Sequence, residues 1–134
     1  MYVDFLDEED IELVAGWMEA RFPKGLTCSR SQFPKPAAGL IVRQADGTGI
    51  AAVPVFFSGE AAFGGWCVGN PSRTRREVYN AIVLLFSCLP NYIRGAGAKK
   101  LMLMYGHRGI NRILARIGYQ AGDREVEHYF WSAE

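Results

Sequence analysis

Residues 68–77 join a predicted strand to the start of a predicted helix. They read Val68-Gly69-Asn70-Pro71-Ser72-Arg73-Thr74-Arg75-Arg76-Glu77. Thr74 and Glu77 have the spacing of a capping box, in which a threonine side chain caps the first turn of a helix. The three arginines lie where the helix macrodipole disfavours cations, by about 0.3–1 kcal/mol each. An anion bound to the free N–H groups of that turn would reverse this effect, and a solvated basic turn is the alternative interpretation.

The segments on either side of this junction predict a strand, a helix and a second strand. Residues 61–68 form the first strand and residues 99–105 the second. The helix begins after Thr74, and Pro90 is expected to end or kink it. Because a helical crossover joins the two strands, we expect them to pair in parallel.

The rest of the chain adds antiparallel strands and two further helices. The predicted elements are strand 2–6, a helix from the N-cap Asp7 to about Phe22, strands 38–44 and 50–57, helix 108–117 and strand 125–132. Short glycine-bearing turns join the strands from 38 to 68 into an antiparallel meander. Pro54 indicates a bulge or an edge-like position within it. The predicted class is α+β, with one parallel pair in a mostly antiparallel sheet that splays at that pair.

The composition is that of a folded protein and excludes several classes. Of 134 residues, 49% are hydrophobic and 22% are charged, which excludes disordered, collagen-like and coiled-coil chains. The length favours a single domain over residues 1–134. The acidic N-terminus does not resemble a secretory signal, and the scattered Cys28, Cys67 and Cys88 predict neither a disulfide framework nor a metal site. We therefore expect a cytoplasmic protein with no membrane span.

The formal net charge of +1 conceals a polarised chain. Residues 1–67 carry five Lys or Arg against nine Asp or Glu, whereas residues 68–134 carry ten against five. Within residues 73–116, only Glu77 opposes nine basic residues. This asymmetry predicts an anionic ligand for the second half. Nucleic acid is disfavoured as that ligand, because the basic stretch lacks interleaved exposed aromatics and any recognised binding motif.

The order of these elements resembles the GNAT (GCN5-related N-acetyltransferase) fold over nearly the whole chain. The sequence is most similar to short acetyltransferase-like proteins of phages and prophages. The segments that carry the resemblance are the acidic helix start 5–10, the loop and helix 70–86, and the closing segment 113–119. The resemblance implies about six to seven strands, three to four helices and one splayed parallel pair. It also implies a cytoplasmic or virion-associated protein.

The resemblance further implies a binding site for acetyl-CoA, used as a cosubstrate. Residues implied to contact it are Trp66, Cys67 and Val68 along the pantetheine, and Arg73, Arg75 and Arg76 at the pyrophosphate. The family's pyrophosphate loop usually reads Q/R-x-x-G-x-G/A, and both glycines are replaced here, by Arg76 and Val78. The tyrosine that often protonates the leaving thiolate falls at Leu114, which has no proton to donate.

Candidates for the remaining chemistry are few. His107 can titrate near neutrality, with a capping or surface role as the alternative. Tyr105 ends a predicted strand and is a candidate acid, with packing as the alternative. Glu8 and Glu9 are candidates for binding an amine substrate, with a solvated helix start as the alternative.

Two functions follow from the resemblance. The first is an N-acyltransferase that moves an acetyl or other acyl group from its CoA thioester to an amine, acting as a monomer or homodimer. The alternative is a GNAT-fold protein without acyl transfer, with a virion, DNA-associated or interaction role. The missing glycines and the missing tyrosine favour the alternative.

Overall fold

A computed structural model describes residues 1–21, 30–103, 105 and 108–122. The strands are β1 Tyr2–Phe5, β2 Gly39–Arg43, β3 Gly49–Ser58, β4 Ala61–Gly64, β5 Val68–Gly69 and β6 Lys100–Leu103. The helices are α1 Ile11–Arg21, α2 Arg75–Gly95 and α3 Arg108–Arg116, with single 3-10 turns at Glu8–Asp10 and Arg30–Gln32. The predicted strand 125–132, His107 and Cys28 lie outside the described residues.

The six strands form one mixed sheet. Its order is β1-β2-β3-β4-β6, and β5 pairs with β3 beyond the end of β4. All pairs are antiparallel except β4 with β6, which run parallel and are joined through α2. The structure therefore confirms the predicted α+β class, the antiparallel meander and the single parallel pair.

The strand predicted over residues 61–68 is interrupted, so its continuity was predicted wrongly. β4 ends at Gly64 and β5 begins at Val68. Between them Trp66 has a φ of 38°, a left-handed conformation that residues with a side chain rarely adopt. The sequence pattern did not reveal the break, because the apolar residues continue through it.

Pro54 lies opposite this interruption. It stands in β3 between Ala52, whose partner is in β5, and Val55, whose partner is in β4. Val55 donates its N–H to the Ala38 carbonyl at 3.0 Å, on the β2 side, and N–H directions alternate along a strand. The donor that Pro54 lacks would thus face the interruption. The irregularity expected at Pro54 is therefore found in the neighbouring strand. Because that strand is interrupted opposite Pro54, the N–H that Pro54 lacks has no hydrogen bond to make there.

Helices cover the two faces of the sheet. On one face, α1 packs onto β2, β3 and β5 through the buried Val14, Trp17 and Met18. On the other face, α2 and α3 pack through a larger cluster that includes Phe86 and Ile113.

α2 continues through Pro90 to Gly95, so of the two effects predicted for Pro90, an end or a kink, the end of the helix is excluded. Proline lacks the N–H that would bond the carbonyl four residues earlier, here that of Phe86. The Tyr119 hydroxyl donates to that carbonyl instead, at 2.7 Å. A residue that follows α3 thus replaces the hydrogen bond that proline removes from α2.

Candidate functional site

The two strands that pair in parallel diverge where the interruption begins. β4 pairs with β6 up to Gly64 and Leu103, whereas β5 pairs with β3 and with no second strand among the described residues. We call the space beyond Gly64 and Leu103, between β5 and Tyr105, the strand gap. The sequence predicted a splayed pair here, and the structure shows the parallel pairing ending at this point, where the second edge of β5 is unpaired among the described residues.

The three residues assigned to the pantetheine lie at the interruption. Val68 is buried against α1, and Cys67 is buried on the α2 side of the sheet. Trp66 is half-buried, with its ring edge-on to Phe56 at 6.2 Å. Burial raises the pKa of the Cys67 thiol to about 12, so this thiol stays protonated at neutral pH and is a poor nucleophile.

A pinned loop carries the chain from β5 to α2. Asn70 is buried, and its side-chain amide donates to the Gly49 carbonyl at 3.0 Å. Its side-chain oxygen accepts the Ser72 N–H at 2.9 Å, which is an Asx turn. The sequence analysis assigned no role to Asn70. An asparagine before a proline at the end of a strand is, however, a pattern that favours such a turn.

Thr74 caps α2 as predicted. Its side-chain oxygen accepts the Glu77 N–H at 3.2 Å. The Thr74 hydroxyl in turn contacts one Glu77 carboxylate oxygen at 3.2 Å. The N–H groups of Arg75 and Arg76 lie in the first turn, where a helix offers no internal acceptor. They are therefore free to bind an anion.

The three arginines at this helix start differ in their surroundings. Arg73 lies 3.6 Å from the second Glu77 carboxylate oxygen. Its charge also helps to lower the pKa of Asp46, after the larger effect of hydrogen bonds from Thr48. Arg75 and Arg76 are exposed, and neither has a carboxylate partner among the described residues. The unneutralised charge at the α2 N-terminus thus belongs mainly to Arg75 and Arg76.

The family loop has a glycine in its helix at the position of Val78. Here a glycine, Gly69, lies in β5 opposite Val78. A Cβ atom added to Gly69 would overlap the side chain of Val78. Val78 therefore points into the helix–sheet interface, away from the free N–H groups. The absence of a side chain at Gly69 thus permits the close approach of α2 to β5.

Tyr105 lies beside the strand gap, with its ring edge-on to Phe86 at 5.7 Å. Its hydroxyl oxygen is buried and has no hydrogen-bond partner among the described residues. Burial raises the pKa of this hydroxyl well above its ordinary value, and the nearby Cys67 and Tyr119 add to the effect. Leu114 packs against the core, and His107 lies outside the described residues.

The acidic start of α1 is largely occupied with structural contacts. Glu8 accepts the Ala37 N–H at 3.0 Å. The buried Asp10 accepts two contacts from one guanidinium nitrogen of Arg43, at 2.8 and 2.9 Å, and also accepts the Asp7 N–H at 3.1 Å. Of the two acids assigned to an amine substrate, Glu9 is the more available, because it is exposed and its carboxylate makes no hydrogen bond with the described part of the chain.

No group of three or more His, Cys, Asp or Glu side chains among the described residues could hold a metal ion. No helix within them has both the length and the apolar character needed to cross a membrane.

The structure is similar to several solved acetyltransferases. AAC(6')-Iy, solved with the bisubstrate analogue CoA-S-monomethyl-acetylneamine, is 13% identical with a TM-score of 0.65 and 98% of each chain covered. The ribosomal-protein-alanine N-acetyltransferase of Brucella melitensis biovar Abortus 2308 is 14% identical with a TM-score of 0.68, over 98% of this chain and 100% of that one. The aminoglycoside acetyltransferase meta-AAC0020, from an uncultured soil sample, is 11% identical with a TM-score of 0.66, over 99% and 96%. No protein-family model matches the sequence, and no curated protein matches it.

Proposed function

From the fold, which is that of the GNAT acetyltransferases, we propose that this protein is an N-acyltransferase. It takes an acyl group from acetyl-CoA, or a related thioester, and transfers it to an amine. The observation that carries the proposal is the strand gap, which opens directly beside the arginine-bearing N-terminus of α2. An elongated ligand with an anionic end matches both features.

The phosphates of CoA are assigned to the first turn of α2. The free N–H groups of Arg75 and Arg76 and the helix macrodipole attract an anion there. The two exposed guanidinium groups add forked donors suited to phosphate oxygens. Side chains thus replace part of the backbone cradle that glycines supply in the family loop. Arg73 contributes less, because the Glu77 carboxylate lies 3.6 Å from it.

The pantetheine and the thioester are assigned to the strand gap, along the free edge of β5. A strand N–H polarises the thioester carbonyl, as an oxyanion hole does. The amine nitrogen attacks the carbonyl carbon, the carbon–sulfur bond breaks, and the sulfur leaves as thiolate. The nitrogen loses its proton to water or to a carboxylate, for which Glu9 is the exposed candidate on α1. The protonated state of Cys67 favours direct transfer over an acyl-cysteine intermediate.

Calorimetry with acetyl-CoA tests this proposal. We expect binding by the unaltered protein and at least a tenfold loss of affinity in the double variant Arg75→Glu, Arg76→Glu. Because acids are favourable at a helix N-terminus, this variant should be as stable as the parent or slightly more so. The double variant Arg94→Glu, Lys100→Glu is the control, since it makes the same change in charge near the opposite end of α2 and should bind normally.

The contrary result is equally clear. If millimolar acetyl-CoA causes neither heat of binding nor a rise in melting temperature, the acyltransferase proposal is wrong. If both double variants lose affinity equally, CoA binds by general charge attraction and not at the α2 N-terminus.

A GNAT-fold binding protein without acyl transfer is the second candidate function. Leu114 favours it, because the residue at the position of the family's usual proton donor is packed in the core. Such a protein would bind acetyl-CoA with the arginine dependence described above. It would release no free CoA with any amine, which a thiol-detecting assay over a panel of amines measures directly.

A further inference from the structure

Three apolar side chains form a row across β3, β4 and β6. Phe56 of β3 is the register partner of Phe63 of β4, and Phe63 is the register partner of Met102 of β6. Register partners project from the same face of a sheet, because side chains alternate between the two faces along each strand. Ala62, which precedes Phe63, belongs to the cluster on the α2 side. The apolar row therefore lies on the opposite face, where α1 packs.

The apolar row is left uncovered by α1. The buried cluster beneath this helix takes residues from β2, β3 and β5 and, within the described part of the chain, none from β4 or β6. Phe63 and Met102 accordingly have relative exposures of 40% and 56%. Neighbouring apolar side chains that stay exposed to water mark a surface that binds another molecule.

The apolar row adjoins the strand gap. Phe63 and Met102 each precede the last paired residue of their strand, after which β4 and β6 stop pairing. Trp66, in the interruption, packs against the α1-side cluster, and its ring lies edge-on to that of Phe56 at 6.2 Å. The apolar surface thus runs for about 10 Å across three strands and reaches the place where the strand is interrupted.

The charges around the apolar row disfavour one class of amine. Strands β3, β4, β5 and β6 contain no Asp or Glu. Glu60, in the turn before β4, is paired with Lys99 at 3.2 Å. Lys100 is exposed and lies on the same face of β6 as Met102, two residues away. A polycationic amine on this surface would meet a like charge and no carboxylate on the strands themselves.

We propose that the apolar row binds the acceptor, and that the acceptor is a primary amine carried on an aromatic or aliphatic body. The proposal rests on the acyltransferase function and names its substrate class. The apolar body packs on Phe63 and Met102, and the amine nitrogen reaches the thioester in the strand gap. The nitrogen bonds to the carbonyl carbon, the carbon–sulfur bond breaks, and the sulfur leaves as thiolate. The proton of the nitrogen passes to water or to a carboxylate.

Three amines of different bodies test the proposal. Release of free CoA from acetyl-CoA is measured with 2-phenylethylamine, ethanolamine and spermidine. The first two are primary amines that carry a phenyl ring or a hydroxyl group two carbons from the nitrogen, and spermidine is a polycation. A single methylene group in an apolar pocket changes kcat/KM by about tenfold or more. We therefore expect kcat/KM to be at least tenfold higher for 2-phenylethylamine than for ethanolamine or spermidine.

The variant Met102→Glu replaces part of the apolar row with a carboxylate. Because Met102 is exposed, this variant should keep the melting temperature and the acetyl-CoA affinity of the parent. We expect kcat/KM to fall about tenfold for 2-phenylethylamine and to rise for spermidine, which the new carboxylate attracts. The control is Tyr2→Glu, which puts the same group on an exposed residue of β1, at the opposite end of the strand order. It should keep the preference of the parent.

The outcomes separate this proposal from the proposed function. The expected preference, lost in Met102→Glu and kept in Tyr2→Glu, supports it. Faster release with ethanolamine or spermidine by the parent, or an unchanged preference in Met102→Glu, overturns it and leaves the acyltransferase function standing. Binding of acetyl-CoA without CoA release from any amine overturns it and favours the second candidate function. Absence of acetyl-CoA binding by the parent overturns both.

Sedimentation of the parent and of Met102→Glu tests the competing occupant of the apolar row, which is a second copy of this chain. A parent that sediments as a monomer supports the proposal, because its apolar row is then open to a small acceptor. A dimeric parent that Met102→Glu converts to a monomer would show that the row is an interface between copies, which overturns the proposal.

Discussion

Single residues in this protein compensate for local disruptions of its helices and strands. Pro90 deprives the Phe86 carbonyl of its helical donor, and Tyr119, beyond α3, supplies a new one. Trp66 adopts a left-handed backbone conformation at the break in the strand, beside the strand gap. Such strain persists where the surrounding structure enforces it, and it is common at binding sites.

The pairing of Pro90 with Tyr119 can be tested by unfolding. Tyr119→Phe leaves the Phe86 carbonyl without a donor, so we expect a loss of about 1–3 kcal/mol in the free energy of unfolding. Pro90→Ala restores the helical N–H and should recover most of that loss in the double variant. Urea denaturation of the four proteins measures the coupling, and simple additivity of the two changes would contradict this account.

The ion pairs of Arg43 form a second residue-scale device. Arg43 joins the half-buried Asp4 of β1 to the buried Asp10 in the 3-10 turn before α1, at 2.9 and 2.8 Å. Arg43→Met leaves the Asp10 carboxylate buried without its cation. We expect a loss of about 3–5 kcal/mol in the free energy of unfolding at neutral pH, which guanidinium denaturation would measure.

The same arginine sets part of the pH dependence of stability. Its hydrogen bond to Asp4 lowers the pKa of that carboxyl in the folded protein. A lowered folded pKa gives stability that is present above the unfolded pKa and is lost as the pH falls through the folded value. The unfolding free energy should thus fall on acidification below about pH 4. In Arg43→Met the Asp4 part of that fall should disappear, and an unchanged acid slope would refute the assignment.

At the scale of elements, α2 approaches β5 closely where Val78 meets Gly69. Val78 fills the space above Gly69 so closely that even a Cβ atom there would overlap it. Gly69→Ala should therefore cost about 1–3 kcal/mol through overpacking. Adding Val78→Ala removes the obstacle, and the double variant should be more stable than Gly69→Ala alone in thermal melts. A double variant weaker than both single ones would show that backbone strain, not the valine, is responsible.

The sequence predicted the elements better than their breaks. Threonine capping and alternating strands are local signals, and the Thr74 cap and the start of α2 appear as they predict. The interruption at residues 65–67 and the passage of α2 through Pro90 depend on residues far away in the chain. No local pattern contains such information. Tyr119 bonds the carbonyl that Pro90 leaves without a donor, and Pro54 lies opposite the interruption on the neighbouring strand.

At the scale of the whole molecule, the polarised charge has a specific geometry. Acidic side chains begin α1 on one face of the sheet, and unneutralised arginines begin α2 at the strand gap. The sequence predicted this asymmetry and the helix start that concentrates it. It did not predict that the charge of Arg73 acts on Asp46, which comes from the turn between β2 and β3. The sequence also left Tyr105 open between packing and catalysis, because only the fold shows that its hydroxyl is unpaired.

Salt should reveal how far binding depends on that charge. Raising the ionic strength from about 0.05 to 0.5 M shortens the screening length to a few ångströms. The affinity for acetyl-CoA should then fall several-fold in the parent and much less in Arg75→Glu, Arg76→Glu, as titration calorimetry would show. Parallel salt dependences in the two proteins would mean that the exposed arginines do not face the phosphates.

The β4–β6 pair that borders the strand gap also determines at which stage of folding the binding site forms. Each β4–β6 partnership joins residues 39 positions apart, as Ala61 with Lys100, and such distant contacts form late because a long loop must close first. A partly folded chain with its antiparallel meander complete would still have no cleft for a ligand. Acetyl-CoA should accordingly bind only the fully folded state and stabilise it. Hydrogen exchange should slow most in β4 and β6, the strands whose pairing has the largest loop-closure entropy cost.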